Sequence, residues 1–234
     1  MPVLNIIKAA GGGPSLPAFT VFYGERLGSM AAPSGDPLTA ANSFDSYTTG
    51  VTIETWESKT LGAVGGSITS THGGGLTGTF VPDHGEAGVN EFYDDSGFND
   101  INVGNVTTNG RFNTTSGGSK FIETALPVIY TPSASVAGWG GYFTDAGDFS
   151  RPMTIELTDD DDTVTTYPIG HTLNGTDTLF FWGFIDPSGT LYKRIRILSE
   201  GDYTPPEFGD PGFTIFNDFF GLDDVRALVL AQVT

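Results

Sequence analysis

The punctuation of this chain constrains it most. Its 33 glycines and 14 prolines are spread over 234 residues without a collagen period. Between them lie short runs of Thr, Val, Ile, Phe and Tyr, residues that suit a pleated, half-buried backbone. Short β-forming runs bounded by turn formers predict a domain made of strands and tight connections. At this length an all-β sandwich commonly stays one domain around one core.

Strands are expected over 51–56, 63–70, 76–81, 101–106, 120–124 and 126–130, and in the second half over 135–143, 153–158, 164–167, 179–185, 190–198 and 223–233. In the run 191–198, apolar Leu191, Ile195 and Ile197 face away from Arg194 and Arg196, the pattern of an antiparallel strand with one buried and one wet face. Asp159, Asp160, Asp161 and Asp162 separate two strand-like runs and fit a hairpin turn, where Asp tolerates the dihedrals and stays solvated. Consecutive side chains diverge, so this run is a poor cage for calcium, which takes about six to eight oxygens.

The first forty residues read differently. Val3 to Ala10 suits a short strand or a helical turn, Gly11, Gly12, Gly13 and Pro14 form a joint, Phe19 to Tyr23 is a second apolar run, and Gly28 to Pro37 reads as loop. Residues 1–42 are expected to form an extended N-terminal arm, either wrapping the domain or docking on a neighbour, with a disordered tail as the alternative. Residues 43–234 are expected to form an antiparallel jelly-roll β-sandwich.

A formal charge of −18, from 28 acidic and 10 basic side chains, argues against a nucleic-acid backbone or an anionic membrane as partner, because both would be repelled. Cations and neutral glycans stay open. Without cysteine there is no disulfide, thiolate nucleophile or thiolate metal site. The stretch from Met1 to Pro14 lacks a basic leader region and its apolar part is broken by Asn5 and Lys8, so no signal peptide is expected. No stretch approaches the roughly 20 apolar residues of a membrane span.

Catalytic signals are weak. Glu54, Glu57, Glu86, Glu91 and Asp186 could supply a glycosidase pair on paper, but no spacing selects two of them. His72, His84 and His171 match no zinc spacing, and neither a nucleophile elbow nor a phosphate loop is present. Among the aromatic residues, Trp139 and Trp182 read as core within glycine-spaced strands, and Trp56 lies in the first expected strand. Tyr93, Phe98 and Tyr203 fall in polar loops, and these three are the candidates for contact with a sugar ring.

Five phrases taken in order, Ser-Phe-Asp-Ser-Tyr (43–47), Arg-Phe-Asn-Thr-Thr-Ser-Gly-Gly-Ser (111–119), Trp-Gly-Gly-Tyr-Phe-Thr-Asp (139–145), Phe-Phe-Trp-Gly-Phe-Ile-Asp (180–186) and Phe-Gly-Leu-Asp-Asp-Val (220–225), resemble bacterial secreted β-sandwich proteins that accompany PEP-CTERM sorting signals. The two ends of that stretch are also similar to those of jelly-roll carbohydrate-binding modules, whose first and last strands often hold a structural calcium. The resemblance implies Asp45, Asp223 and Asp224 as candidate calcium ligands. The alternative is that Asp223 and Asp224 only cap the last strand and accept backbone amides.

The chain departs from the secreted family in showing neither a leader nor a sorting tail. The expected setting is therefore the surface of a bacteriophage particle, reached by lysis, with the protein acting as capsid decoration or tail adhesin. The expected function is non-enzymatic. Its partners would be other virion proteins through the arm, further copies of itself in an oligomer or repeated array, and cell-surface glycans. A calcium-stabilised carbohydrate-binding module of a secreted protein is the alternative, and a glycan-active enzyme the third.

Overall fold

The computed structural model describes residues 18–28, 30–63, 66–83, 102–104, 110–125, 127–146, 152–173, 177–199 and 219–234. They form two antiparallel sheets packed face to face, as expected for a β-sandwich. In chain order the strands are β1 (Thr20–Arg26), β2 (Gly62–Ala63), β3 (Ile68–Thr71), β4 (Thr77–Pro82), β5 (Asn102–Gly104), β6 (Phe121–Ala125), β7 (Val128–Pro132), β8 (Gly138–Thr144), β9 (Met153–Asp159), β10 (Val164–Pro168), β11 (Leu179–Ile185), β12 (Tyr192–Ser199) and β13 (Phe219–Leu228), with one helix, α1 (Asp36–Asp45). The larger sheet runs β1-β11-β8-β13-β6-β5-β2 and the smaller runs β10-β9-β12-β7-β4-β3.

Strand patterns report how many faces are covered. All seven residues of β11 are buried, as are all seven of β8. Phe180, Trp182 and Phe184 point between the sheets, and Leu179, Phe181 and Ile185 point to the outer side, where α1 covers them. A strand covered on both faces needs no polar alternation. By contrast, β12 alternates, with Ile195 and Ile197 inside. Its register on β9 shifts between Tyr192 and Arg194, so Tyr192 enters the core and Leu191, expected on the inner face, is only half-buried.

The expected boundary at residue 42 falls inside α1. Strand β1 is an edge strand of the larger sheet, paired along its whole length with β11, so the expected arm from β1 through α1 packs into the sandwich, and 1–17 and 29 of it lie outside the described residues. Pro37, Ala40, Ala41 and Phe44 form the buried stripe of α1. Phe44 packs edge-on against Phe22 and Phe181, at 5.5 and 5.8 Å between ring centroids. Gly24 lets the helix start this close, since a Cβ there would collide with the carbonyl of Asp36.

The expected strand at 51–56 is not a strand. It contributes one bridge, in which Glu54 and Val225 exchange backbone hydrogen bonds at 2.8 and 2.9 Å. The buried Glu54 carboxylate then accepts the amides of Trp56 and of Thr71 on β3, each at 2.9 Å, and meets Lys59 at 3.5 Å. One residue thereby ties the two sheets together. The four aspartates do form the β9–β10 hairpin turn: Asp159 Oδ1 accepts the amides of Asp161 and Thr163 at 3.0 and 2.8 Å.

Candidate functional site

Charged side chains gather on the outer face of the larger sheet, around β13. The register of β13 on β8 shifts between Asp223 and Arg226, and Asp224 has φ 48°. Such a bulge kinks the strand and re-aims its side chains. It turns two consecutive carboxylates toward the segment 113–115. One Asp223 oxygen, Oδ2, accepts the Thr114 amide at 2.7 Å, the Thr114 hydroxyl at 2.9 Å, and the Thr115 amide and Asn113 side chain at 3.2 Å each. Its Oδ1 accepts the amide of Asp224 at 2.8 Å, and Asp224 Oδ1 accepts the Thr115 hydroxyl at 2.5 Å.

Arg226 is the cation of this cluster and is only 4% exposed. Its Nε and Nη2 donate to the two oxygens of Asp45 at 2.7 and 3.0 Å, and its Nη1 donates to the Asp224 carbonyl at 2.5 Å. The guanidinium also lies over the rings of Phe181 and Tyr142, 5.3 and 5.8 Å from their centroids, a contact favourable to a desolvated cation. Asp45 ends α1, where a carboxylate opposes the helix dipole, and the bidentate Arg226 offsets that cost.

Two further anchors fix the segment 110–120 over the sheet. Arg111 donates to the fully buried Asp145 at 2.9 Å and to Glu123 at 3.2 Å. Glu57 Oε1 accepts the amides of Ser119 and Lys120 at 2.6 and 2.7 Å. The Lys120 ammonium donates to the carbonyls of Glu57 and Lys59 at 2.8 and 2.6 Å.

Asp45, Asp223 and Asp224 are thus brought together, yet the arrangement does not fit a calcium ion. Both Asp45 oxygens face the guanidinium, and Asp223 Oδ2 is ringed by five hydrogen-bond donors whose protons occupy the directions a metal would need. Among the described residues, no group of three or more His, Asp or Glu side chains is placed to hold a metal. Burial raises the Asp223 carboxyl above its ordinary range, the neighbouring Asp224 adds to the rise, and the Thr114 and Asp224 donors pull it partly back. Asp224 is raised as well, again chiefly by burial. Chemically, the cluster fastens a helix, a bulged strand and a covering segment to one another.

Other expectations resolve by position. Trp56, Trp139 and Trp182 are all core, at most 1% exposed, so none of them offers a face to a sugar. Tyr93, Phe98 and Tyr203 lie outside the described residues, as do His84, Glu86 and Glu91. His72 is buried with Nε2 at 2.9 Å from the Ser70 hydroxyl, and burial pushes its pKa down to about 4. Burial likewise lowers His171, which stacks on Phe180 at 5.4 Å. Asp186 accepts the Ser188 amide at 2.9 Å and the Tyr192 hydroxyl at 3.0 Å, closing the β11–β12 turn. The role of Arg226 was missed from sequence; its only signal is a lone base between apolar Val225 and Ala227 in a strand.

No protein-family model matches the chain, and no curated protein matches it. Among solved structures, the K2 cleaved adhesin domain of Lys-gingipain is similar over 76% of this chain and 99% of that chain, at 14% identity and a TM-score of 0.34. That likeness is too slight to carry an argument about function.

Proposed function

We propose that the domain is a non-enzymatic binding module that presents its contacts at one end of a rigid sandwich. The observation that carries this reading is the inequality of the two ends. At one end the β9–β10, β11–β12, β7–β8 and β3–β4 connections are short, and all are described. At the other, where Val128 stands opposite Ile197 and Phe219 opposite Ala125, the chain leaves β4 for residues 83–101 and leaves β12 for residues 200–218. Long connections on a rigid double sheet are where recognition residues concentrate. Tyr93 and Phe98 belong to the first interval and Tyr203 to the second, all outside the described residues, and strand register brings the described strand ends that flank both intervals to this end of the sandwich. The charged cluster around β13 supports the same reading, since its hydrogen-bonding capacity is engaged within the fold.

A glycan array, followed by Tyr93→Ala, Phe98→Ala and Tyr203→Ala variants, tests the module. Hits that fall in the variants while the melting temperature holds support it, and hits indifferent to all three variants reject the rim. Carbohydrate binding enters here without calcium, given the poor fit of Asp45, Asp223 and Asp224 to that ion. The setting we propose, the surface of a bacteriophage particle, rests on fold-level analogy. Mass spectrometry of purified particles should find the chain at fixed copy number, and its absence would reject the setting.

A further inference from the structure

The segment 110–120 crosses the outer face of the seven-stranded sheet as a strap and buries Phe112 against it. Carboxylates fasten it along its length. Its start is held through Arg111, which meets Asp145 and Glu123, and its end by Glu57, which accepts the Ser119 and Lys120 amides. Its centre, residues 113–115, rests on Asp223 and Asp224 of the β13 bulge.

The two carboxyls of that bulge are unequally served. Asp223 receives five donors on Oδ2 and the Asp224 amide on Oδ1, a setting that favours an anion. Among the described residues, the Asp224 carboxyl meets only the Thr115 hydroxyl. That hydroxyl stands 2.5 Å from Asp224 Oδ1 and 3.4 Å from Asp223 Oδ2, and it owns one proton. It cannot serve two anions at once. With a proton on Asp224 both contacts are satisfied in series, because the carboxyl donates to Thr115 Oγ1 and Thr115 donates to Asp223. The neighbouring cations do not remove this need. Arg226 binds the Asp45 carboxylate and the carbonyl, not the carboxyl, of Asp224, and Lys120 donates to the carbonyls of Glu57 and Lys59. Of the other ionisable groups that face the pair, Asp45 and Glu57 add negative charge, and burial keeps the Tyr142 phenol neutral. Burial also raises both carboxyls, and Asp224 adds to the rise on Asp223.

We propose that Asp224, Thr115 and Asp223 form a proton-keyed latch: one proton on the pair holds the centre of the strap down, and its loss in mildly alkaline solution lets that centre lift. Deprotonation leaves a single hydroxyl hydrogen between two adjacent carboxylates, in a place where water screens their repulsion poorly. The contacts of residues 113–115 give way first. The ends of the strap are held by Arg111 and Glu57, which do not share the proton, so they stay fastened and serve as an internal reference. The latch lies on the covered face and is independent of the binding-module reading.

The test is amide hydrogen exchange of the full chain, read residue by residue by NMR and corrected for the intrinsic rise of exchange with pH. Protection of the Thr114 and Thr115 amides should fall about tenfold or more between about pH 6 and 9, while Ser119 and Lys120 change by less than about twofold. In Asp224→Asn the side-chain amide donates to Thr115 Oγ1 as the protonated carboxyl does and has no proton to lose. Asparagine also tolerates the φ of 48° at this position, so protection in the variant should stay level over the same range. No fall in the wild type, an equal fall in Asp224→Asn, or a fall shared by Ser119 and Lys120 overturns the latch. Carboxyl-carbon NMR of the wild type decides the matter should the variant fail to fold. A proton must leave Asp223 or Asp224 over the range in which protection falls, and carboxyls that titrate only at ordinary values overturn the latch as well.

Discussion

The two outer faces of the sandwich make opposite use of the same kind of strand. On the seven-stranded sheet, α1, the segment 110–120 and the chain around Glu57 cover the face, and the charges trapped there are matched within the fold, Asp45 with Arg226 and Asp145 with Arg111. On the six-stranded sheet the outward Thr69, Thr71, Thr79 and Thr131 stay open to solvent beside Val81 and Ile129, and Arg194 and Arg196 meet Asp83 and Glu156 at the surface. Charge on a covered face must find a partner inside the molecule, and an open face can leave its polar groups to solvent or a ligand. The covered face therefore bears on stability.

The largest effect should come from unseating the cover. Phe44→Ala removes a fully buried ring held between Phe22 and Phe181 and should cost about 4 kcal/mol in chemical denaturation; a loss below about 1 kcal/mol would mean that α1 is not part of the core. Next comes Arg226→Ala, which strands Asp45 and loses the ring contacts, at about 3 kcal/mol after allowance for the partial exposure of Asp45. A loss equal to that of an ordinary surface salt bridge would show the pair to be incidental.

A smaller effect is read in the pH dependence. Asp223 and Asp224 have raised pKa values in the fold, so the folded state binds more protons than the unfolded one, and their contribution fades as pH rises through the raised values. His72, lowered from 6.5 to about 4, acts the other way: its contribution is lost as pH falls below about 6.5. Stability should climb as pH falls from about 8 to 6.5 and level off below that, where the opposite contributions of Asp223 and His72 offset each other. In Asp223→Asn, which keeps one acceptor oxygen, the climb should shrink by about 1 kcal/mol; an unaltered climb would remove Asp223 as its source. Smallest of all, chelation with EDTA should leave the melting temperature unchanged, and a fall of several degrees would show a native-state ion after all.

How much of this was legible depended on which face a residue serves. The run Leu179–Ile185 is apolar throughout, and Arg194 and Arg196 alternate with Ile195 and Ile197, so both strands could be read. Helix α1 was overlooked although Pro37, Ala40, Ala41 and Phe44 follow helical spacing, because two of the four are alanine and the stripe is faint. The segment 51–56 has strand composition, yet its backbone finds a partner only at Glu54. The meeting of Asp45 with Asp223 and Asp224 came from resemblance, and the guanidinium between them depends on a bulge that no local pattern announces. That Thr69, Thr79 and Thr131 lie side by side on three strands could not be read, because adjacency across strands is a property of register rather than of sequence.

The hairpin turn at Asp159–Asp162 also bears on crowding. It leads into β10, the outermost strand of the smaller sheet among the described residues, and an outermost strand is the kind that invites pairing with a second molecule. Two such edges approaching in parallel bring two sets of four aspartates side by side, with Lys193 paired to Asp162 beside each set. Pro168, at the far end of the strand, has no amide proton to give. Like charge at one end and a missing donor at the other leave this edge a poor template for a second strand.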